Sequence, residues 1–136
     1  MNHEIHERKT NMSTILYKLE SFEIMGAGFE VYKEKGSGFV ESVHQECMEM
    51  EFCDRKIPFK AQVEPVLTYK GRPLKSKFKP EFICYDKIVV ELKAVSGLTD
   101  EHRAQVQNYL RATKMRLGLL VHFGHYPKLE CERIVL

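Results

Sequence analysis

Residues 78–95 read FKPEFICYDKIVVELKAV, an apolar stretch with Glu81, Glu91 and Lys93 set into what otherwise has the composition of two buried strands. Side chains alternate across a strand, so Ile88, Val90, Leu92 and Ala94 point one way and Val89, Glu91, Lys93 and Val95 the other. In the strand before it, Lys79, Glu81, Ile83 and Tyr85 share a face, opposite Phe78, Phe82 and Cys84. The link between the two strands decides whether the charges meet. Directly opposed residues of an antiparallel pair share a face. Pairing Cys84 with Ile88 across a three-residue Tyr85-Asp86-Lys87 connection therefore puts Glu81 opposite Glu91. A two-residue Asp86-Lys87 turn would send them to opposite faces.

Two facing carboxylates repel by something on the order of several kcal/mol at an effective dielectric of about 20, unless a proton or a cation intervenes. A divalent cation answers that repulsion. Oxygen-only ligation by one or two carboxylates, completed by water and phosphate oxygens, is the pattern of Mg²⁺. A lysine beside such an ion can orient or help deprotonate an attacking water and balance charge on a pentavalent phosphate, while the ion polarises the phosphoryl oxygen. That combination of side chains suits phosphodiester hydrolysis.

Around this stretch the periodicity predicts two helices first. Residues 13–35 place Ile15, Leu16, Leu19, Phe22, Ile24, Met25, Phe29, Val31 and Tyr32 near a 3.6-residue spacing. Gly26 and Gly28 weaken that helix by roughly 1 kcal/mol each relative to Ala and are read as close-packing positions, with Gly36 as the stop. A second helix to about Arg55 would bury Phe39, Val43, Cys47 and Met50. After Pro58 the pattern becomes strand-like over 61–69, 77–85 and 88–95, with a turn at Lys70-Gly71-Arg72-Pro73. Thr99 is read as the N-cap of a helix to about Lys114, with Asp100 and Glu101 in its first turn, and strands over 117–123 and 132–136 follow. The order α, α, β, β, β, α, β, β predicts an α/β protein, a mixed sheet with helices packed on it.

With 136 residues and 43% hydrophobic content, the chain is expected to form a single domain over 13–136 behind a flexible tail at 1–12. His3 and His6 belong to that tail, and a frayed terminus is favoured over a metal site. A net charge of +2 is too small to mark a nucleic-acid binder by itself, so any binding surface must come from local clustering. Cys47, Cys53, Cys84 and Cys131 form no CxxC pair, and neither a leader pattern nor a membrane-length apolar run is visible. The expectation is a reducing, cytoplasmic setting.

Pro80-Glu81, a ten-residue step and Glu91-Leu92-Lys93 together resemble the PD-(D/E)XK nuclease signature. The wider frame is similar to the GxxExxY family of that superfamily: Gly38-Phe39-Val40-Glu41, PVLTYKG at 65–71, VELKAV at 90–95, AQVQNYL at 104–110 and GLLVHFG at 118–124. The likeness covers about residues 15–136. It implies a restriction-endonuclease-like αβββαβ core with an extra N-terminal helix, and a Mg²⁺- or Mn²⁺-dependent nuclease site. Carried over by position, Glu81 and Glu91 would be metal-binding carboxylates, Lys93 the catalytic lysine and Glu41 a further carboxylate from the helix. Gln105 and Tyr109 match a QxxxY motif that approaches the site in related nucleases. Their i, i+4 spacing puts both on one helix face, with His102 joining them. Two positions depart from the pattern: Glu81 stands where aspartate is usual, and His44 stands where the motif has tyrosine.

The rival account of Glu91 and Lys93 is a solvent-facing strip of an amphipathic strand, with lysine guarding against edge pairing. His122 and His125 lack cysteine partners and are read as strand and turn residues rather than a zinc site. Arg72, Lys75, Lys77 and Lys79 crowd the approach to Glu81. On a regular strand the three lysines would share its face and form a phosphate-contacting track, which Arg111, Lys114 and Arg116 could extend. The expected activity is hydrolysis of DNA; the alternative is a catalytically silent module of the same fold that binds nucleic acid or a protein partner. A homodimer is compatible with so small a domain, and no membrane association is expected.

Overall fold

The computed structural model describes residues 15–136, so the expectations for the tail, His3, His6 and a helix start at Ser13 lie outside the described residues. Helices α1 (Lys18–Lys35) and α2 (Glu41–Asp54) are followed by β1 (Phe59–Ala61), β2 (Thr68–Tyr69), β3 (Arg72–Pro73), β4 (Phe82–Cys84) and β5 (Ile88–Lys93). Helix α3 (Asp100–Thr113) and strands β6 (Leu117–His122) and β7 (Glu130–Val135) complete the order. Five strands make one sheet in the order β1-β4-β5-β6-β7, while β2 and β3 form a separate two-stranded hairpin. Among the described strands only β5 and β6 run parallel, and α3 supplies the crossover between them. The mixed sheet and its flanking helices match the expected class.

The decisive connection has the odd length. Strands β4 and β5 pair as Cys84↔Ile88, Ile83↔Val89 and Phe82↔Val90, across Tyr85-Asp86-Lys87. Tyr85 and Asp86 both take φ 56°, and the Lys87 amide closes the turn on the Cys84 carbonyl at 3.1 Å.

Alternation then divides the sheet. Phe82, Cys84, Ile88, Val90, Leu92, Leu117, Leu119 and Val121 join the cluster built with α1 and α2, whose buried contributions include Ile24, Met25, Met48 and Phe52. The other face packs Val89, Leu120 and Ile134 against Val106 and Leu110 of α3. Gly118 explains how closely α3 approaches. A Cβ there would collide with the Val106 side chain, so only glycine lets the helix settle onto β6. Gly28 serves α1 similarly, its missing side chain leaving room for Leu129 and Val121. Gly36 ends α1 at φ 71° and ψ −160°, a region essentially open to glycine alone.

Three expectations need correction. The buried row of α2 is His44, Met48 and Phe52, whereas Phe39 and Met50 of the predicted stripe are exposed. His44 hid the phase because it reads as polar; it enters the core by bonding the Gly36 carbonyl (3.0 Å) and stacking on Phe123 (4.2 Å between rings). On α1, Leu19, Phe22 and Phe29 point outward. The strands predicted over 61–69 and 77–85 shrink to β1, the β2–β3 hairpin and β4. Pro80 has no amide to donate, and β1 offers β4 only three partners, from Phe59↔Cys84 to Ala61↔Phe82. Between them Lys70 (φ 50°) and Gly71 (φ 79°) turn the chain as a tight two-residue hairpin needs.

Candidate functional site

Glu81 lies one residue before β4, where the hairpin register carries it opposite Glu91 of β5. The Glu81 amide donates to Glu91 Oε2 at 2.6 Å, which leaves the other Glu91 oxygen for a ligand. The Gln62 amide donates to the Glu81 carbonyl at 2.9 Å, so the backbone on both sides of Glu81 is tied down. Both side chains are buried, with Glu81 8% and Glu91 3% exposed. That burial excludes the solvent-strip account for Glu91. An acid in such surroundings ionises reluctantly.

Burial raises Glu81 to about 9, helped by a side-chain hydrogen bond with Glu41 and by the charges of Glu91 and Glu41, against which the Lys93 charge works. Burial also raises Glu91, to about 7; the Glu81 amide and Lys93 oppose that rise, and Glu41 adds to it. Both carboxyls are therefore held well above the ordinary carboxylate range, chiefly by burial. Glu41 reaches them because it heads the core-facing row of α2, three residues before His44. Thus Glu41, Glu81, Glu91 and Lys93, drawn from three parts of the sequence, come together.

Among the described residues no three His, Cys, Asp or Glu side chains stand ready-made as a metal-ligand array. What stands instead is a pair of buried carboxylates, Glu91 bound by the Glu81 amide and Glu81 hydrogen-bonded to a third acid, Glu41. The donor chemistry fits a hard divalent cation: the donors are oxygens, and the burial that disfavours their charged forms, with the added charge of Glu41, is a cost that a bound cation would offset.

Helix α3 brings its motif to the same place. Tyr109 lies near enough for the charges of Glu91 and Glu81, added to its burial, to raise its phenol to about 12. Its ring stacks on Phe78 at 4.7 Å between centroids. Gln105, one turn earlier, lines a groove of about 400 Å³ together with Tyr109 and Phe78. His102 does not join them. Its Nδ1 accepts from the Thr99 amide (3.0 Å) while its own amide donates to Thr99 Oγ1 (3.3 Å), a reciprocal cap that holds the side chain back at the start of α3.

Arg72 lies on β3, and Lys75, Lys77 and Lys79 lie on the irregular chain leading to Glu81; all four are exposed. Lys79 pairs with Glu64 at 3.4 Å. Strand alternation does not align these lysines, since residues 74–81 form no strand.

One neighbour escaped the sequence reading. His122 of β6 stands beside Lys93 in the parallel register. It is buried, its Nε2 bonds the Val95 carbonyl at 2.7 Å, and its Nδ1 lies 3.9 Å from Glu130 Oε1. Alternation within GLLVHFG puts His122 on the face of Gly118 and Leu120, yet only the β5–β6 register reveals that this is also the face of Glu91 and Lys93.

No curated protein matches the chain. Among solved structures, the crystal structure of SSO0001 superposes with a TM-score of 0.55 at 18% sequence identity, covering 88% of this chain. The chain spans 57% of the length of that one, and the likeness shows the fold alone. The family model of the PD-(D/E)XK nuclease superfamily matches residues 18–134, which contain the paired glutamates, the lysine and the α3 motif in order. By that match the chain belongs to the PD-(D/E)XK nuclease superfamily.

Proposed function

We propose that the protein is a Mg²⁺- or Mn²⁺-dependent nuclease of the GxxExxY type that hydrolyses DNA phosphodiester bonds. The observation that carries this reading is the meeting of Glu81 and Glu91 beside Lys93, two buried acids with no structural partner strong enough to keep both ionised. Glu81, Glu91 and Glu41 would hold the cation. When bound there, it would supply Lewis-acid polarisation of the phosphoryl oxygen and a water of lowered pKa.

The rest falls to the chain itself. Lys93 faces the carboxylates from the same strand face and would steady negative charge gathering on the phosphoryl oxygens. The Glu81 amide fixes the Glu91 carboxylate, so that one oxygen keeps a constant orientation as substrate arrives. His122, anchored on the Val95 carbonyl, stands beside Lys93 across the β5–β6 register. Exposed Arg72, Lys75 and Lys77 would meet phosphates away from the cleaved bond, supplying affinity without sequence preference.

A second reading keeps the fold and loses the chemistry. Glu81, standing where the superfamily pattern has aspartate, favours it. Incubating the protein with Mn²⁺ and linear, nicked, branched and single-stranded DNA, beside a Lys93→Ala control, decides between them. Cleavage that disappears in the control supports the nuclease, while binding without cleavage in any arm supports the silent module.

A further inference from the structure

The groove beside the carboxylates has a composition that phosphate binding does not explain. Leu67 and Ala104 form apolar walls, Phe78 and Tyr109 present a stacked aromatic pair, and the amides of Gln105 and Asn108 stand among them. Among the described residues no lysine or arginine lines it, and Glu101 does, so this lining repels phosphate. Its wall is firm: the Leu74 amide bonds the Leu67 carbonyl at 2.8 Å, which ties the base of the β2–β3 hairpin to the groove's edge. Phe78 connects this apolar space to the acids, because it lines the groove three residues before Glu81 in the same segment of chain and stacks on Tyr109 of α3.

We infer that the groove receives an unpaired nucleobase of the substrate strand, stacked against the Phe78–Tyr109 pair, while the adjoining phosphate lies at the carboxylates. Aromatic faces accept any base, and side-chain amides can bond its Watson–Crick edge. A base inside a duplex is unable to enter a side groove without leaving its stack, at a cost that is smallest where the strand is already single. The preferred substrates are therefore single strands, flaps and junctions with unpaired nucleotides, not continuous duplex. This rests on the proposed nuclease reading for the position of the phosphate.

The test uses the metal-free chain of 136 residues and a single-stranded oligonucleotide carrying 2-aminopurine, whose fluorescence falls on stacking. The expected result is quenching on binding, with tighter binding of the single strand than of a duplex of equal length. Phe78→Ala should abolish the quenching and weaken single-strand binding by roughly tenfold or more, with duplex affinity unchanged. Ala104→Leu, at an exposed helix position, fills the groove without an aromatic face and should do the same with an unchanged melting temperature. Absence of quenching in the wild type, quenching that survives Ala104→Leu, or equal losses for duplex and single strand would overturn the inference. Cleavage of duplex by a protein that shows no quenching sinks the groove and leaves the nuclease standing; quenching without cleavage under any metal supports the groove and sinks the nuclease.

Discussion

The two faces of the central sheet use the same strands for opposite purposes. Toward α1 and α2, Ile88, Val90 and Leu92 of β5 are wholly buried among other apolar side chains. Toward α3, the alternate residues begin the same way, with Val89 under Val106 and Leu110, and then change to Glu91 and Lys93. One face gains stability from every position. The other keeps apolar packing at the end where β5 begins and gives up stability where it ends, by burying acids that a dry core would reject. The lesson is that a six-residue strand can carry core and chemistry together, because alternation keeps them on separate sides.

That contrast can be broken most forcefully by moving a charge across the sheet. Val90→Asp places an uncompensated carboxylate in the dry face and should cost about 3–5 kcal/mol or more, which chemical denaturation will register as loss of the cooperative transition. Its chain neighbour Glu91→Gln should leave the metal-free protein as stable as the wild type or more so, since it removes a strained charge. Lys93→Ala should lower DNA cleavage by roughly 10²–10³-fold with little change in melting temperature, the mark of a residue kept for chemistry.

A pH series sharpens the same comparison. Glu81 and Glu91 have folded-state pKa values of about 9 and about 7, above the ordinary carboxylate value of 4.5. Between about pH 4.5 and about pH 9 the folded state therefore binds more protons than the unfolded chain, and stability is lost as the pH rises. In EDTA the melting temperature should fall as the pH rises across that window, and Glu81→Gln should flatten the slope. A wild-type curve as flat as that of the variant contradicts the account.

Smaller effects mark the edges of the two regions. Gly118→Ala pushes α3 off the sheet and should cost about 1–3 kcal/mol in urea unfolding, with Tyr109 displaced from the acids and cleavage reduced in step. Lys77→Ala should reduce the salt slope of DNA binding by about one unit at most, and leave cleavage at saturating DNA unchanged.

Much of this was legible in residues 78–95 because the deciding information is local. The length of Tyr85-Asp86-Lys87 sets the register, and register sets the meeting of Glu81 with Glu91. Thr99 and its acidic followers likewise announce the start of α3 within four residues. What could not be read depends on partners distant in sequence. His44 looks like a surface residue until Gly36 and Phe123 receive it, and this shifted the expected face of α2 by one position. His122 joins the site only through the parallel register with β5. The lysines of 75–79 alternate as a strand would, yet no neighbouring strand pairs with them. Phe78 finds Tyr109 across 31 positions of chain, and neither signals the other.

The central claim is that the acids on the α3 side are held together for a divalent cation. Calorimetric titration of Mn²⁺ at pH 8 into the wild-type protein and into Glu91→Gln tests it most directly. The account predicts saturable binding by the wild type and its loss in a variant that still melts cooperatively. Equal binding by the two proteins, or none by the wild type, would contradict it.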